Sequence, residues 1–300
     1  MLTLTLGLYS VAATSQSLAT TTMIPPCGAV LLNNAGFMVS AYSYLAFNES
    51  EAILADAGWN ASVSSVIAGC GGSLTNGSFV PVNQTQAAEC RKYIERFGAQ
   101  GVCWEARIYV DSPAQMQAAA SNATAIAAHV AAYTQEMGLS GVSFDWEKRG
   151  ENKRSHHHYL NVTRTLQMAL ATVGVRVSSF SNNFYHDILS FKDLSYNNDK
   201  VLCGETYKGS QAKWREQWHR LVTSPARAKL SPVLSANTKH GSENCSPNII
   251  GNRTLLLKQN FTEISVFSLN APGEGHQKGG CFAKYIPFLK AFRSSNTNAR

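Results

Sequence analysis

The sequence predicts one α/β domain, a single (β/α)8 barrel of the TIM type over residues 25–293 of a 300-residue chain. Short apolar runs alternate with helical patterns almost from end to end, as expected for parallel strands joined by crossover helices. Eight such strand runs fall within about 260 residues, the usual size of this barrel. An open doubly wound sheet is the alternative arrangement of the same units, but no GxGxxG follows a strand. No internal repeat or interdomain linker interrupts the pattern.

The runs "GFMVSAYSYL" (36–45) and "SSVIAGC" (64–70) read as the first two strands. "GGSLTNG" (71–77) is a turn-rich loop, and "TQAAECRKYIERFG" (85–98) is a helix closing at Gly98. "GVCWEARIYV" (101–110) is the third strand. The helix after it, 112–138, carries the clearest signals. Ser112 caps it, Pro113 suits its first turn and Gly138 its exit. Ile126, Val130, Tyr133 and Met137 recur at helical spacing and make one buried stripe. "GVSFDWE" (141–147) is strand four, and a helix over 157–174 closes at Gly174. "VRVSSFS" (175–181), "KVLCGETY" (200–207), "AKLSPVLSAN" (228–237) and "EISVFSLN" (263–270) complete the eight. Helices at 211–224, 251–260 and 279–292 separate them, and 294–300 is a polar tail.

At 44% hydrophobic and 15% charged residues, the chain can bury a sizeable core and is not of disordered type. Its net charge of +7 is the excess of 26 scattered Lys and Arg over 19 Asp and Glu. They cluster only in "KRGENKR" (148–154), without interleaved aromatics, so no nucleic-acid partner is expected. The charge reads as solubility and mild attraction to anionic surfaces.

Residues 1–19, "MLTLTLGLYSVAATSQSLA", resemble a secretory signal peptide with a cleavable "SLA", although the basic start is missing. A first strand or loose tail is the other reading of this stretch. The apolar run is too short to span a bilayer, and no later segment is long and apolar enough, so no membrane span is expected. Asn-x-Ser/Thr occurs at Asn48, Asn60, Asn76, Asn83, Asn122, Asn161, Asn244, Asn252 and Asn260. Chance gives about three or four in such a composition. Asn244, followed by Cys-Ser-Pro, and Asn122, close to a buried helix face, are the two doubtful acceptors. Seven cysteines (27, 70, 90, 103, 203, 245, 281) fit disulfides with one left over, and their spacing does not assign the pairs. The expected product is a glycoprotein of the secretory pathway, either secreted or lysosomal/vacuolar. No Cys/His spacing marks a metal site, and no cofactor is expected.

Side chains of a strand alternate between faces. In "GVSFDWE", Val142, Phe144 and Trp146 point outward to the helices, and Ser143, Asp145 and Glu147 point into the barrel. Glu147 comes last, at the carboxyl end where such barrels hold their chemistry. Other strands also end polar or aromatic: Tyr42 and Tyr44, Glu105 and Arg107, Ser181 and Asn182, Glu205 and Tyr207, Asn237, and Asn270. A ring of this kind suits a polar substrate. Acids merely capping strand ends in solvent are the alternative.

"LSGVSFDWE" resembles the strand-four signature of glycoside hydrolase family 18, the chitinases and related N-acetylglucosaminidases, which runs Asp-Gly-x-Asp-x-Asp-x-Glu. Gly141, Asp145 and Glu147 match it, and Trp146 is a common occupant of its slot. Ser140 and Ser143 stand where the pattern has its first two aspartates. "GETYKG" (204–209) is similar to the family's Met-x-Tyr-Asp, with Tyr207 matching, Glu205 in place of Met and Lys208 in place of Asp. Phe267 stands where a tryptophan usually floors the sugar site. The third strand, "CWEARIY", lacks the Ser-x-Gly-Gly of large chitinases and is closer in layout to the chitobiase-like branch.

The resemblance implies hydrolysis of N-acetylglucosamine-containing glycans, with the substrate's own 2-acetamido oxygen as nucleophile. Glu147 would be the general acid. It must hold a proton near neutral pH, which partial burial and a nearby negative charge favour. Asp145 would accept from the acetamido N–H and stabilise the cationic intermediate, and Tyr207 would orient the acetamido oxygen. Ser143, Trp146, Glu205, Trp104, Tyr42, Asn182, Phe267 and Asn270 are the expected sugar contacts. Ser143 can hydrogen-bond but cannot carry charge, so slower turnover or a shifted pH optimum is expected.

Two further readings remain. One is a binding protein that holds sugar through Trp104, Trp146 and Phe267 without turnover. The other is a two-carboxylate retaining glycosidase pairing Glu147 with Glu205. "HHH" (156–158) opens a helix, where adjacent residues do not share a face. Trp214 and Trp218, four apart, read as packing. No G-x-S-x-G elbow accompanies "VSSFSNN", and "GGSLTNG" lacks the Lys-Ser/Thr of a phosphate loop.

Overall fold

The computed structural model describes residues 37–43, 59–146, 153–181, 191–207, 210–237, 242–267 and 281–294. Eight parallel strands close into a barrel: β1 (Met38–Ser43), β2 (Ser65–Thr75), β4 (Cys103–Tyr109), β5 (Gly141–Asp145), β6 (Arg176–Ser181), β7 (Lys200–Cys203), β8 (Leu230–Ser235) and β9 (Glu263–Phe267). β1 makes the closure, with Ser40 opposite Ser65 on one side and Ser265 on the other. The open-sheet alternative therefore does not apply.

The outer barrel face is apolar because helices cover it. Val39, Val66, Trp104, Phe144, Val177, Leu234 and Ile264 lie in one buried cluster with residues from those helices. The helices are α1 (Trp59–Ser62), α2 (Gln84–Gly98), α3 (Pro113–Ser121), α4 (Ala123–Met137), α5 (Lys153–Ala171), α6 (Phe191–Asn197), α7 (Gln211–Val222), α8 (Pro247–Lys258) and α9 (Phe282–Arg293). Among the described residues, none is long and apolar enough to cross a membrane.

Two sequence expectations are corrected here. "GGSLTNG" is not a loop: β2 runs on through it and turns at Asn76-Gly77 into the antiparallel strand β3 (Ser78–Pro81). Both turn residues have positive φ, 50° and 72°, the conformation that makes Asn-Gly a hairpin turn. The helix expected over 112–138 is two helices broken at Asn122. That residue leaves helical geometry (φ −121°, ψ 21°), and its Nδ2 donates to Gly77 O at 3.1 Å. The hairpin tip thus docks on the break. A β-carbon at Gly77 would lie 2.7 Å from Asn122 Nδ2, so the contact requires glycine.

Disulfides join Cys70 to Cys90, tying β2 to α2, and Cys245 to Cys281. Cys103 is also disulfide-bonded, and Cys203 is buried as a thiol whose Sγ donates to Val201 O. Tyr133 of α4 donates its hydroxyl to Cys70 O at 2.6 Å, and burial pushes that phenol up to about 12.

The barrel interior is layered. At its amino-terminal end lies a closed ionic network of four fully buried charges. Arg176 donates from Nε and Nη2 to Glu105 (3.2 and 2.6 Å) and from Nη1 to both oxygens of Glu263 (3.1 and 2.9 Å). Lys200 Nζ lies 3.4 Å from Glu263. Ser40 and Ser65 donate to Glu263 and Glu105. Burial acts to lower the Arg176 pKa, but the two carboxylates outweigh it and hold it above its ordinary value. Above this floor sits an apolar layer of Ile67, Phe180, Leu202 and Val233, with Phe267 packed against it.

Candidate active site

Strand β5 carries the opening residues of the site. Its outward Val142 and Phe144 are buried against the helices, and Ser143 and Asp145 face inward as alternation requires. Gly141, at the foot of the strand, has a physical role: a β-carbon there would lie 2.8 Å from Cγ and Oε2 of Glu105. Its missing side chain makes room for the buried acid that Arg176 holds.

At the carboxyl-terminal rim, Asp145 faces strand β4. Arg107 Nη1 approaches Asp145 Oδ2 at 3.5 Å, with side chains 24% and 17% exposed, so the pair is neither a free surface contact nor sealed in the core. Register places Arg107 opposite Ser143, and Tyr109 opposite Asp145. Arg107 therefore leans one inward position up the barrel to reach the carboxylate. Ser143 is fully buried, and its Oγ has no hydrogen-bond partner among the described residues.

Glu105 is corrected from strand end to floor. It points inward but near the bottom of the barrel, bound by Arg176, and Arg107 is the residue of that strand that reaches the rim. Two expected sugar contacts are also corrected. Trp104 is 2% exposed and stacks with Phe97 at 6.4 Å in the layer between barrel and helices. Trp146 is 0% exposed and packs on His156 (6.3 Å) and Tyr159 (5.0 Å) of α5. Both lie on the outward parity of their strands, which faces helices and not the mouth. Of the three aromatics of the binding-protein reading, Phe267 is the one on the inner face.

The expected strand over 200–207 stops at Cys203. Gly204–Tyr207 form a 3₁₀ turn, so Glu205 and Tyr207 leave the strand and their faces no longer follow from alternation. Their side chains, and that of Tyr42 on β1, are outside what is described, as are residues Glu147, Asn182 and Asn270. Ser181 is on the outward face of β6, beside Ser179, which donates to Asn198. Asn237 is buried just past β8.

Arg107 and Tyr109 are the rim residues that sequence reading did not assign to the chemistry. The signal was present in the parity of Cys103, Glu105, Arg107 and Tyr109. What parity lacks is depth along the barrel axis. Elsewhere, His156 is buried while His157 is exposed, as adjacent helical residues should be. Trp214 and Trp218 stack at 6.4 Å with Arg253 over Trp214, which is packing under the helices.

The fold has clear likenesses among solved structures. A chitinase from Bacteroides thetaiotaomicron superposes with a TM-score of 0.69 at 12% identity, covering 89% of this chain and 99% of that one. The spore cortex-lytic enzyme SleL of Bacillus megaterium gives 0.63 at 9% identity, with 86% and 74% covered. A family 18 chitinase from Flavobacterium johnsoniae gives 0.60 at 11%, with 85% and 94% covered. No family model matches the chain, and no curated protein matches it in sequence. At these identities the likeness is one of fold: this is a chitinase-like barrel.

Proposed function

We propose that this chitinase-like barrel is a glycoside hydrolase acting on N-acetylglucosamine-containing glycans, either chitin oligosaccharides or an N-glycan core. The observation that carries the reading is Asp145, an inward carboxylate at the carboxyl-terminal end of β5, in the strand that bears the Asp-x-Glu pair. Glu147, two residues further on, is the general acid of this proposal. It protonates the departing glycosidic oxygen as the substrate's 2-acetamido oxygen attacks the anomeric carbon. Asp145 accepts from the acetamido N–H, which turns that oxygen toward the reacting carbon and offsets the positive charge of the cyclic intermediate. Tyr207 orients the acetamido group. Water then opens the intermediate, with Glu147 as base, and the configuration is retained.

The test compares fluorogenic chitobioside and chitotrioside with glucosyl analogues that lack the acetamido group. Cleavage of the N-acetyl substrates alone is the expected result. Cleavage of both classes would replace it with the two-carboxylate chemistry of Glu147 and Glu205. Glycan-array binding with no cleavage would make the chain a binding protein. That second outcome is less favoured because Trp104 and Trp146, two of its three aromatic platforms, face the helices.

The compartment belongs to the same proposal. Disulfides and the absence of a membrane-crossing helix among the described residues are compatible with a secreted protein. Asn76, Asn83, Asn161 and Asn252 are exposed, whereas the Nδ2 that a glycan would occupy on Asn122 donates to Gly77 O at the docked hairpin tip. Asn244 is 1% exposed, and its Oδ1 accepts from Arg253 at 2.6 Å. Expressed through a eukaryotic secretory pathway, the chain should carry N-glycans at the exposed positions and none at Asn244. Enzymatic deglycosylation in heavy-oxygen water followed by peptide mass spectrometry reads this directly. Occupancy at Asn244 together with empty exposed sites would refute the map.

A further inference from the structure

The charges inside the barrel divide into two groups. The floor holds two acids and two bases, Glu105 and Glu263 with Arg176 and Lys200, all buried and mutually paired. Arg107 is a further cation, two residues above Glu105 on the same face of β4, and is not drawn into that network. It turns instead toward Asp145 on the neighbouring strand. Directly opposite Arg107 in the register lies Ser143, whose hydroxyl is buried and makes no hydrogen bond among the described residues. The only carboxylate that β5 offers Arg107 is therefore Asp145.

The geometry points to Arg107 as the positioning residue of the proposed site, a fixed cation that keeps Asp145 a carboxylate and aims it along the β4 side of the mouth. The inference rests on the glycosidase reading for its consequence in turnover, but not for its electrostatics. Within about 4–6 Å an opposite charge favours the ionised form of an acid. The counter-charge beside Asp145 belongs to arginine, which does not titrate in this range, so the pairing holds at acid pH. Among the described residues, the charged or titratable groups facing Asp145 from β4 are Arg107 and Tyr109. β6 presents Ser178 and Phe180, which do not titrate, and Lys200 of β7 is committed to the floor. Glu205 and Tyr207 sit on the turn after β7, with side chains outside what is described. Glu147 follows Asp145 outside the described residues.

The test uses the full chain and three variants, Arg107→Met, Arg107→Lys and Asp145→Asn. In protein carrying carbon-13 at the aspartate carboxyl, the Asp145 resonance is the one missing from Asp145→Asn. Its titration midpoint should rise by about one pH unit in Arg107→Met and stay near wild type in Arg107→Lys. The acid limb of kcat/KM on a chitobioside should move by the same amount and recover in Arg107→Lys. A uniform loss of rate with unmoved midpoint and limb would overturn the proposal and leave the glycosidase reading intact. A moved midpoint in a protein that cleaves no glycan would do the reverse, upholding Arg107 and sinking the glycosidase reading. If Arg107→Met fails to fold, Arg107→Gln gives the same readout.

Discussion

Glu147→Gln should lower kcat/KM on chitobioside about 10²–10⁴-fold, the range a positioned general acid contributes. Glutamine keeps the shape and most of the hydrogen bonding of the protonated acid but has no proton to give. The loss should depend on the leaving group. A fluorogenic phenol departs as a stable anion and needs little protonation, whereas a sugar alcohol cannot leave without it. The variant should therefore be least impaired on the fluorogenic substrate and most impaired on a chitooligosaccharide followed by chromatography. KM should change less than kcat, because the proton is needed in the transition state. Equal rates for variant and wild type on both substrates would remove Glu147 from the chemistry.

Arg176→Met should destabilise the fold by about 3–5 kcal/mol, the cost of breaking a buried ionic network by deleting one partner. Methionine fills much of the volume, so the loss is mainly electrostatic: Glu105 loses its bidentate partner and Glu263 keeps Lys200 and the Ser40 hydroxyl. The effect has a pH signature. Burial acts to raise the Glu263 carboxyl, but Arg176, Lys200 and Ser40 outweigh it and hold it below the ordinary carboxylate value. A folded value depressed below the unfolded one, about 4.3 for glutamate, contributes stability that is complete above the unfolded value. That contribution is lost as pH falls through the folded value. In Arg176→Met the depression is relieved, so urea midpoints of variant and wild type should lie furthest apart at neutral pH and converge below about pH 4. A gap under about 1 kcal/mol at pH 7, or one independent of pH, would contradict this account.

Much of the barrel was legible because parallel strands covered on their outer face read as apolar runs, and all eight runs form strands. What failed did so for identifiable reasons. "GGSLTNG" carries turn residues, yet Gly71 and Gly72 are there for close approach: added β-carbons would lie 2.2 Å from Arg107 O and 2.1 Å from Val80 O. The 112–138 periodicity is continuous through Asn122, and only the docked hairpin shows why the helix breaks there. In the site, parity correctly sent Ser143 and Asp145 inward, and it also sent Trp104 and Trp146 outward. Assigning those two to sugar set residue type above parity. Parity carries no depth along the barrel axis, so Glu105 and Arg107 read alike in the sequence, whereas in the structure one binds Arg176 in the floor and the other reaches Asp145.

The closure of the barrel through β1 also sets an order of assembly. Ser40 and Glu263, bonded in the finished floor, are 223 residues apart in the chain. At roughly 5–20 residues per second, a ribosome needs about 10–45 s to bring the second after the first. During that interval β1 has one of its two neighbours, and Arg176, once made, has Glu105 but not Glu263. Until β9 is made the ring lacks one of its eight strands and the floor one of its two carboxylates. Glu263 supplies the missing carboxylate and β9 the closing strand, with α9 (Phe282–Arg293) and the Cys245–Cys281 disulfide still to follow.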